Sequence, residues 1–156
     1  MARIESLLEP GARETTGRAL QQTLVDLVDL SLTAKQAHWT VTGPRFRALH
    51  LQLDEVVATA RAHTDTVAER CAAIGVPPDG RAGTVAAASA VPQPQPGWET
   101  DDGVVAHFVD AHAKVIAGLR ERINEVADPD PVTQDLLIAV AADLEKQYWM
   151  FQAEQG

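Results

Sequence analysis

The sequence predicts an all-α fold: a four-helix bundle whose long central crossover carries a short extra helix. Three observations predict it. Four long segments repeat apolar residues at spacings of three and four. No segment alternates convincingly as a strand. The second of the three connections is long and proline-rich, whereas the other two are short. The 156 residues suit one domain, 1–156, with 1–14 expected as a flexible N-terminal segment. A chain of this size buries roughly 70% of its unfolded surface, so it needs no disulfide or structural metal to fold.

The first helical pattern runs from about Thr15 to Thr42. Leu20, Leu24, Leu27 and Leu30 form one stripe, with Val25, Val28 and Leu32 beside it, and so wide an apolar surface predicts burial on two sides. Thr15 or Thr16 is the expected cap, and Gly43-Pro44 the expected stop. The second pattern runs from about Pro44 to Ile74. Phe46, Leu49, Leu53, Val56, Ala60, Val67 and Ile74 mark its core face, and Gly75 with Pro77-Pro78 ends it. The linker Val76–Thr100 follows, and its alanine-rich stretch Thr84–Ala90 is the extra helix. The third pattern starts at Asp101-Asp102, where acidic residues favour a helix N-terminus. It passes through Val104, Phe108, Ala111, Val115, Leu119 and Ile123 to about Ala127. Asp128-Pro129-Asp130-Pro131 breaks the chain sharply. The fourth pattern begins with Pro131 in its first turn and continues through Leu137, Val140, Leu144, Tyr148 and Phe151. This topology, with a single long crossover, is ferritin-like.

Composition narrows the function. Thirteen basic and 22 acidic residues give a net charge of −9, which disfavours generic nucleic-acid binding. A single cysteine, Cys71, excludes an intrachain disulfide and favours a reducing compartment. It is expected as a small buried apolar group. No run approaches a membrane span of roughly 20 apolar residues. Glu5 and Glu9 interrupt any secretory apolar run, so a cytoplasmic protein is expected.

Histidines and carboxylates concentrate in one stretch. His38 lies on the first helix, while His50 and Asp54 lie four apart on the second and share a face. Asp65 and Glu69 are also four apart there. Asp54 and Asp65 differ by 11 residues, close to three helical turns, a rotational offset of only about 20°. Both pairs therefore occupy one side of one helix. They are also separated by roughly 16 Å along its axis, too far for a single site. Two copies of the helix crossing antiparallel near Thr59-Ala60 would bring one chain's His50 and Asp54 beside the other's Asp65 and Glu69. Ala58, Thr59, Ala60 and Ala62 are small enough to allow the approach, and one twofold axis would make two identical sites. Two imidazoles and three carboxylates suit Fe(II), Mn(II) or Zn(II), and a redox role selects iron. The plainer reading of each residue alone is a solvated face, with Asp65 on Arg61 and Glu69 on Arg70. No histidine has Glu three residues before it, so the usual di-iron centre inside such a bundle is not encoded in its usual form.

The segment Lys35-x-x-His38-Trp39, Gly43-x-x-Phe46-x-x-Leu49-His50-x-x-x-Asp54, Asp65-x-x-x-Glu69-Arg70 closely resembles the Dps proteins (DNA-binding proteins from starved cells), the twelve-subunit mini-ferritins. The resemblance covers roughly Leu20 to Phe151. It implies a hollow homododecamer built from twofold dimers. Ferroxidase sites would use His38, His50 and Asp54 from one subunit and Asp65 and Glu69 from the other. It implies oxidation of Fe(II), preferentially by hydrogen peroxide, storage as ferric oxyhydroxide and protection from oxidative damage. Trp39 would flank the site or pack the interface, and Lys35 would pair with a carboxylate across that interface. Glu125, Asp128, Asp130 and Asp135 are candidates for an acidic iron-entry pore, although Asp-Pro-Asp-Pro is also ordinary turn chemistry. His63, His107 and His112 match no ligand position and are expected in surface or packing roles.

One departure concerns DNA. Residues 1–19 hold Arg3, Arg13 and Arg18 against Glu5, Glu9 and Glu14, and the C-terminal MFQAEQG has no basic residue. Twelve chains at −9 would carry −108, so DNA binding is expected to be weak or absent. The alternatives are a nucleoid-binding structural protein with secondary iron chemistry, which would need a basic patch, and a peroxide-protective or metal-sensing bundle without mineral storage.

Overall fold

The computed structural model describes residues 4–155. The chain forms α1 (Pro10–Thr40), β1 (Val41–Thr42), α2 (Phe46–Ala73), α3 (Ala82–Ala88), β2 (Glu99–Thr100), α4 (Asp101–Glu125) and α5 (Pro131–Ala153). α1 packs chiefly on α2 and α4 chiefly on α5. The four long helices thus make two hairpins joined by the crossover, which contains α3. One continuous apolar core links them, with Leu27, Leu30, Leu53, Phe108, Leu144 and Phe151 fully buried. The Phe108 and Phe151 rings stack with centroids 5.3 Å apart. Cys71 lies in this core as a free, buried thiol. Among the described residues, no helix is long and apolar enough to cross a membrane.

Three expectations need correction. α1 begins at Pro10 rather than Thr15. Proline loses nothing in the first turn, where its missing N–H would be unpaired anyway, and the ladder opens with Arg13 N–H donating to the Glu9 carbonyl. Thr16 is buried inside the helix instead of capping it. Residues 10–14 of the segment expected to be flexible are therefore helical, and residues 1–3 lie outside the described residues. Next, two short strands exist: β1 and β2 pair in parallel, Val41 opposite Glu99 and Thr42 opposite Thr100. Two residues are too few to show alternation. Finally, the extra helix spans Ala82–Ala88, two residues earlier than the alanine run suggested.

The strand pair helps fasten the start of α2. Gly43 adopts φ +122°, and a β-carbon there would meet the Asp101 carboxyl at 2.7 Å. Asp101 uses that closeness to accept from the Arg45 N–H at 2.9 Å. The Arg45 guanidinium also reaches Asp102 and the Glu154 carbonyl. The first turn of α2 is thereby pinned to the start of α4 and the end of α5.

The breadth of the α1 apolar surface is explained by the crossover lying against it. Two buried carboxylates fix the contact. Asp26 accepts from the Ala90 N–H and the Arg122 guanidinium, each at 3.0 Å. Asp29 accepts from the Gln93 amide at 2.9 Å.

Candidate metal centre

The last turns of α1 and the first turns of α2 bring His38 and His50 face to face. Their rings stack with centroids 3.6 Å apart. His38 Nδ1 lies 2.6 Å from the His50 carbonyl, and His50 Nδ1 lies 2.8 Å from the His38 carbonyl. A carbonyl oxygen only accepts, so each Nδ1 carries the hydrogen. In the neutral ring each Nε2 then holds the lone pair, which is the form of histidine that binds a metal ion. His38 is buried and His50 half-buried, so both rings are held by packing as well.

Asp54 stands one turn further along α2, with Oδ1 3.4 Å from His38 Nδ1. The same oxygen accepts from Lys35 Nζ at 2.5 Å. The Lys35 hydrogen bond is the main reason the Asp54 carboxyl lies below its ordinary range, and the nearby histidines add to it only when protonated. Lys35 thus pairs within its own chain.

Asp65 and Glu69 lie further along the same uninterrupted helix. Both are exposed. Neither forms an ion pair or side-chain hydrogen bond with another described residue. Arg70, the plainer partner for Glu69, turns instead to Asp130 and Thr133. No three His, Cys, Asp or Glu side chains of one chain converge closely enough to hold a metal among the described residues. The chain therefore presents two half-sets: two locked imidazoles with a carboxylate, and a free carboxylate pair.

The small residues between them divide. Ala58 and Ala62 are exposed on α2, whereas Ala60 is fully buried in its own bundle. Thr59 accepts from the Gln147 amide at 3.0 Å. A crossing at this point would rest on Ala58 and Ala62 alone. Trp39, one residue past His38, is 61% exposed.

The four pore candidates also divide. Glu125, Asp128 and Asp135 are exposed around the α4–α5 junction. Asp130 is only 3% exposed; it accepts from Arg70 at 2.6 Å and from the Thr133 hydroxyl at 2.5 Å. Its job is to anchor the start of α5 to α2, so it cannot face a pore in this arrangement.

The remaining histidines stay out of the centre. His63 pairs with Asp143 of α5 at 2.7 Å. His112 is fully buried and donates from Nδ1 to the Phe108 carbonyl at 2.8 Å. Sequence reasoning missed the reciprocal histidine bonds, because the carbonyls that receive them carry no side-chain signal.

A model of the ferritin-like domain family matches residues 17–155. The DNA protection during starvation protein 2 of Deinococcus radiodurans is 37% identical over 136 residues. That alignment covers 87% of this chain and 56% of the relative, so the chain spans little more than half of that protein's length. The DNA protection during starvation protein of Mycolicibacterium smegmatis is 37% identical over 142 residues, 86% of this chain and 73% of the relative. Among solved structures, the tetragonal form of Mycobacterium smegmatis Dps superposes with a TM-score of 0.91 at 33% identity. It covers 98% of this chain and 93% of its own.

Proposed function

The chain belongs to the ferritin-like family, among its Dps (DNA protection during starvation) members, and on that premise we propose that it is a ferroxidase and iron-storage protein whose sites are shared between two subunits. Fe(II) is the substrate and ferric oxyhydroxide the stored product. The observation that carries this reading is the split ligand set on α2 and the end of α1. His38 and His50 offer Nε2 lone pairs beside Asp54, and the unpaired Asp65 and Glu69 lie on the same helix beyond the reach of that cluster.

The chemistry follows from the donors. Neutral imidazoles hold Fe(II) without adding charge, while carboxylates favour the harder Fe(III), so the set lowers the cost of oxidation. The Nδ1 bonds orient both rings in advance, as outer partners of metal-ligating histidines generally do. Lys35 neutralises Asp54 until Fe(II) takes its place. Hydrogen peroxide is the proposed oxidant: two Fe(II) each give up one electron, the O–O bond breaks, and hydrolysis of Fe(III) releases protons. Trp39 would lie at the edge of the shared site. Glu125, Asp128 and Asp135 would line the entry route, and twelve chains would enclose the mineral.

The test is complementation. His50→Ala and Asp65→Ala are each expected to abolish rapid oxidation of Fe(II) by peroxide. Mixing the two variants under conditions of subunit exchange should restore part of it, because some pairs then hold one intact site. Proven exchange with no recovery would eliminate the shared site. Weighing the particle after Fe(II) and peroxide loading separates storage from protection without a mineral.

A further inference from the structure

Both imidazoles of the candidate centre border one turn. His38 precedes β1 by three residues and His50 follows Arg45 by five. Their reciprocal bonds run from each ring to the other residue's backbone carbonyl. The tautomer that leaves each Nε2 free therefore depends on how the end of α1 and the start of α2 are set against each other. Phe46, the first residue of α2, also packs its ring 5.1 Å from that of His50.

The turn's own side chains do little to secure that setting. Arg45 stands at the N-cap of α2, where it has no side-chain oxygen to accept from the first N–H groups. The distant segment Glu99–Thr100–Asp101 supplies what is missing. Its strand residues pair with Val41 and Thr42 just past the end of α1, and the Thr42 hydroxyl donates to the Glu99 carbonyl at 3.0 Å. Asp101, only 7% exposed, sets its carboxylate at the N-terminus of α2. Oδ2 accepts from the Arg45 N–H at 2.9 Å and from Arg45 Nε at 3.3 Å, while Oδ1 accepts from the Asp102 N–H at 3.0 Å. The Arg45 N–H is the largest reason the Asp101 carboxyl stays below its ordinary range, against the effect of burial. It is therefore ionised at neutral pH and meets the positive end of the α2 dipole. Gly43 permits the approach, since a side chain there would collide with that carboxylate. One short segment thus grips both sides of the turn that carries the two rings.

We propose that Asp101, seated against Gly43 and Arg45, is a positioning residue of the ferroxidase centre: it holds the α1–α2 turn in the setting in which His38 and His50 each donate from Nδ1 and keep Nε2 free for iron. Its bonds go to the turn and not to the rings, so it acts through the backbone. The chemistry it serves rests on the ferroxidase reading, whereas the setting of the rings is a property of the metal-free chain.

The test reads the imidazole nitrogen-15 shifts of the metal-free full chain beside Fe(II) oxidation by peroxide. The unaltered chain should show Nδ1 protonated and Nε2 bare in both rings. Asp101→Ala should mix the tautomers and lower kcat about 10- to 100-fold, the range typical when an outer partner of a metal-ligating histidine is lost. Asp101→Asn, which still accepts from the Arg45 N–H, should fall between the two, and it carries the comparison if the alanine variant does not fold. Arg122→Met controls for lost stability, because it breaks the Asp26 pair and leaves the turn alone. Below its thermal midpoint it should keep the shifts and kcat of the unaltered chain. Unchanged ring shifts in the Asp101 variants, or equal changes in Arg122→Met, would overturn the proposal. Failure of the unaltered chain to oxidise Fe(II) would instead defeat the ferroxidase reading, and the nitrogen shifts would still decide the role of Asp101.

Discussion

Single residues decide how ready the centre is. The Lys35–Asp54 bond makes a clear prediction: Lys35→Met should move the Asp54 carboxyl pKa upward toward the ordinary carboxylate range, measured by carboxyl-carbon NMR titration of the metal-free protein. His112 makes another. Its burial holds the folded-state pKa below the usual 6.5, so the unfolded chain takes up a proton first as the solution is acidified. Its contribution to stability is therefore complete above about pH 6.5 and lost as pH falls toward the folded value. The thermal midpoint should drop between about pH 7 and 5.5, and His112→Gln should flatten that drop. Half-buried His107 adds a slope of the same sign and will leave some dependence behind. At this scale the sequence was only partly legible. The spacing of His50, Asp54, Asp65 and Glu69 could be read because helical geometry is regular. The partners of Lys35 and Asp130 could not, because each depends on where a second helix happens to place a long side chain.

Helices and their connections were read more faithfully, since apolar periodicity reports which face is buried. What periodicity could not report is how the crossover is held. Asp26 and Asp29 interrupt the α1 stripe, yet both are buried, because the crossover and α4 bring donors to them. Arg122→Met would leave the Asp26 carboxylate buried without its charge partner. Breaking a buried pair in this way typically costs about 3–5 kcal/mol, and the loss should appear as a lower denaturant midpoint at fixed protein concentration. The exposed strip of α2 allows a complementary experiment. Ala58 contributes nothing to its own core, so Ala58→Trp should preserve the helix content by circular dichroism. It should nevertheless block close approach of a second α2 and abolish Fe(II) oxidation. Normal oxidation by that variant would place the crossing elsewhere.

For the whole molecule, the balance of charge bears on partners. A net charge of −9 per chain repels polyanions, and repulsion grows with the number of chains assembled. DNA should migrate unretarded at physiological salt. The proposed assembly of twelve 16.7 kDa chains should scatter light as a particle of about 200 kDa. Dimension also matters at this scale. α2 runs without a break from Phe46 to Ala73, and that unbroken run keeps the two proposed half-sets of ligands apart. In mixed populations it also separates two kinds of damage by their arithmetic. A chain lacking only His50 spoils the one site to which it lends imidazoles, so activity should decline in proportion to its share. A chain lacking both His50 and Asp65 spoils every site it joins, so activity should decline as the square of the intact fraction. One unbroken helix thus decides whether a defective copy is a passive passenger or a poison to its neighbours.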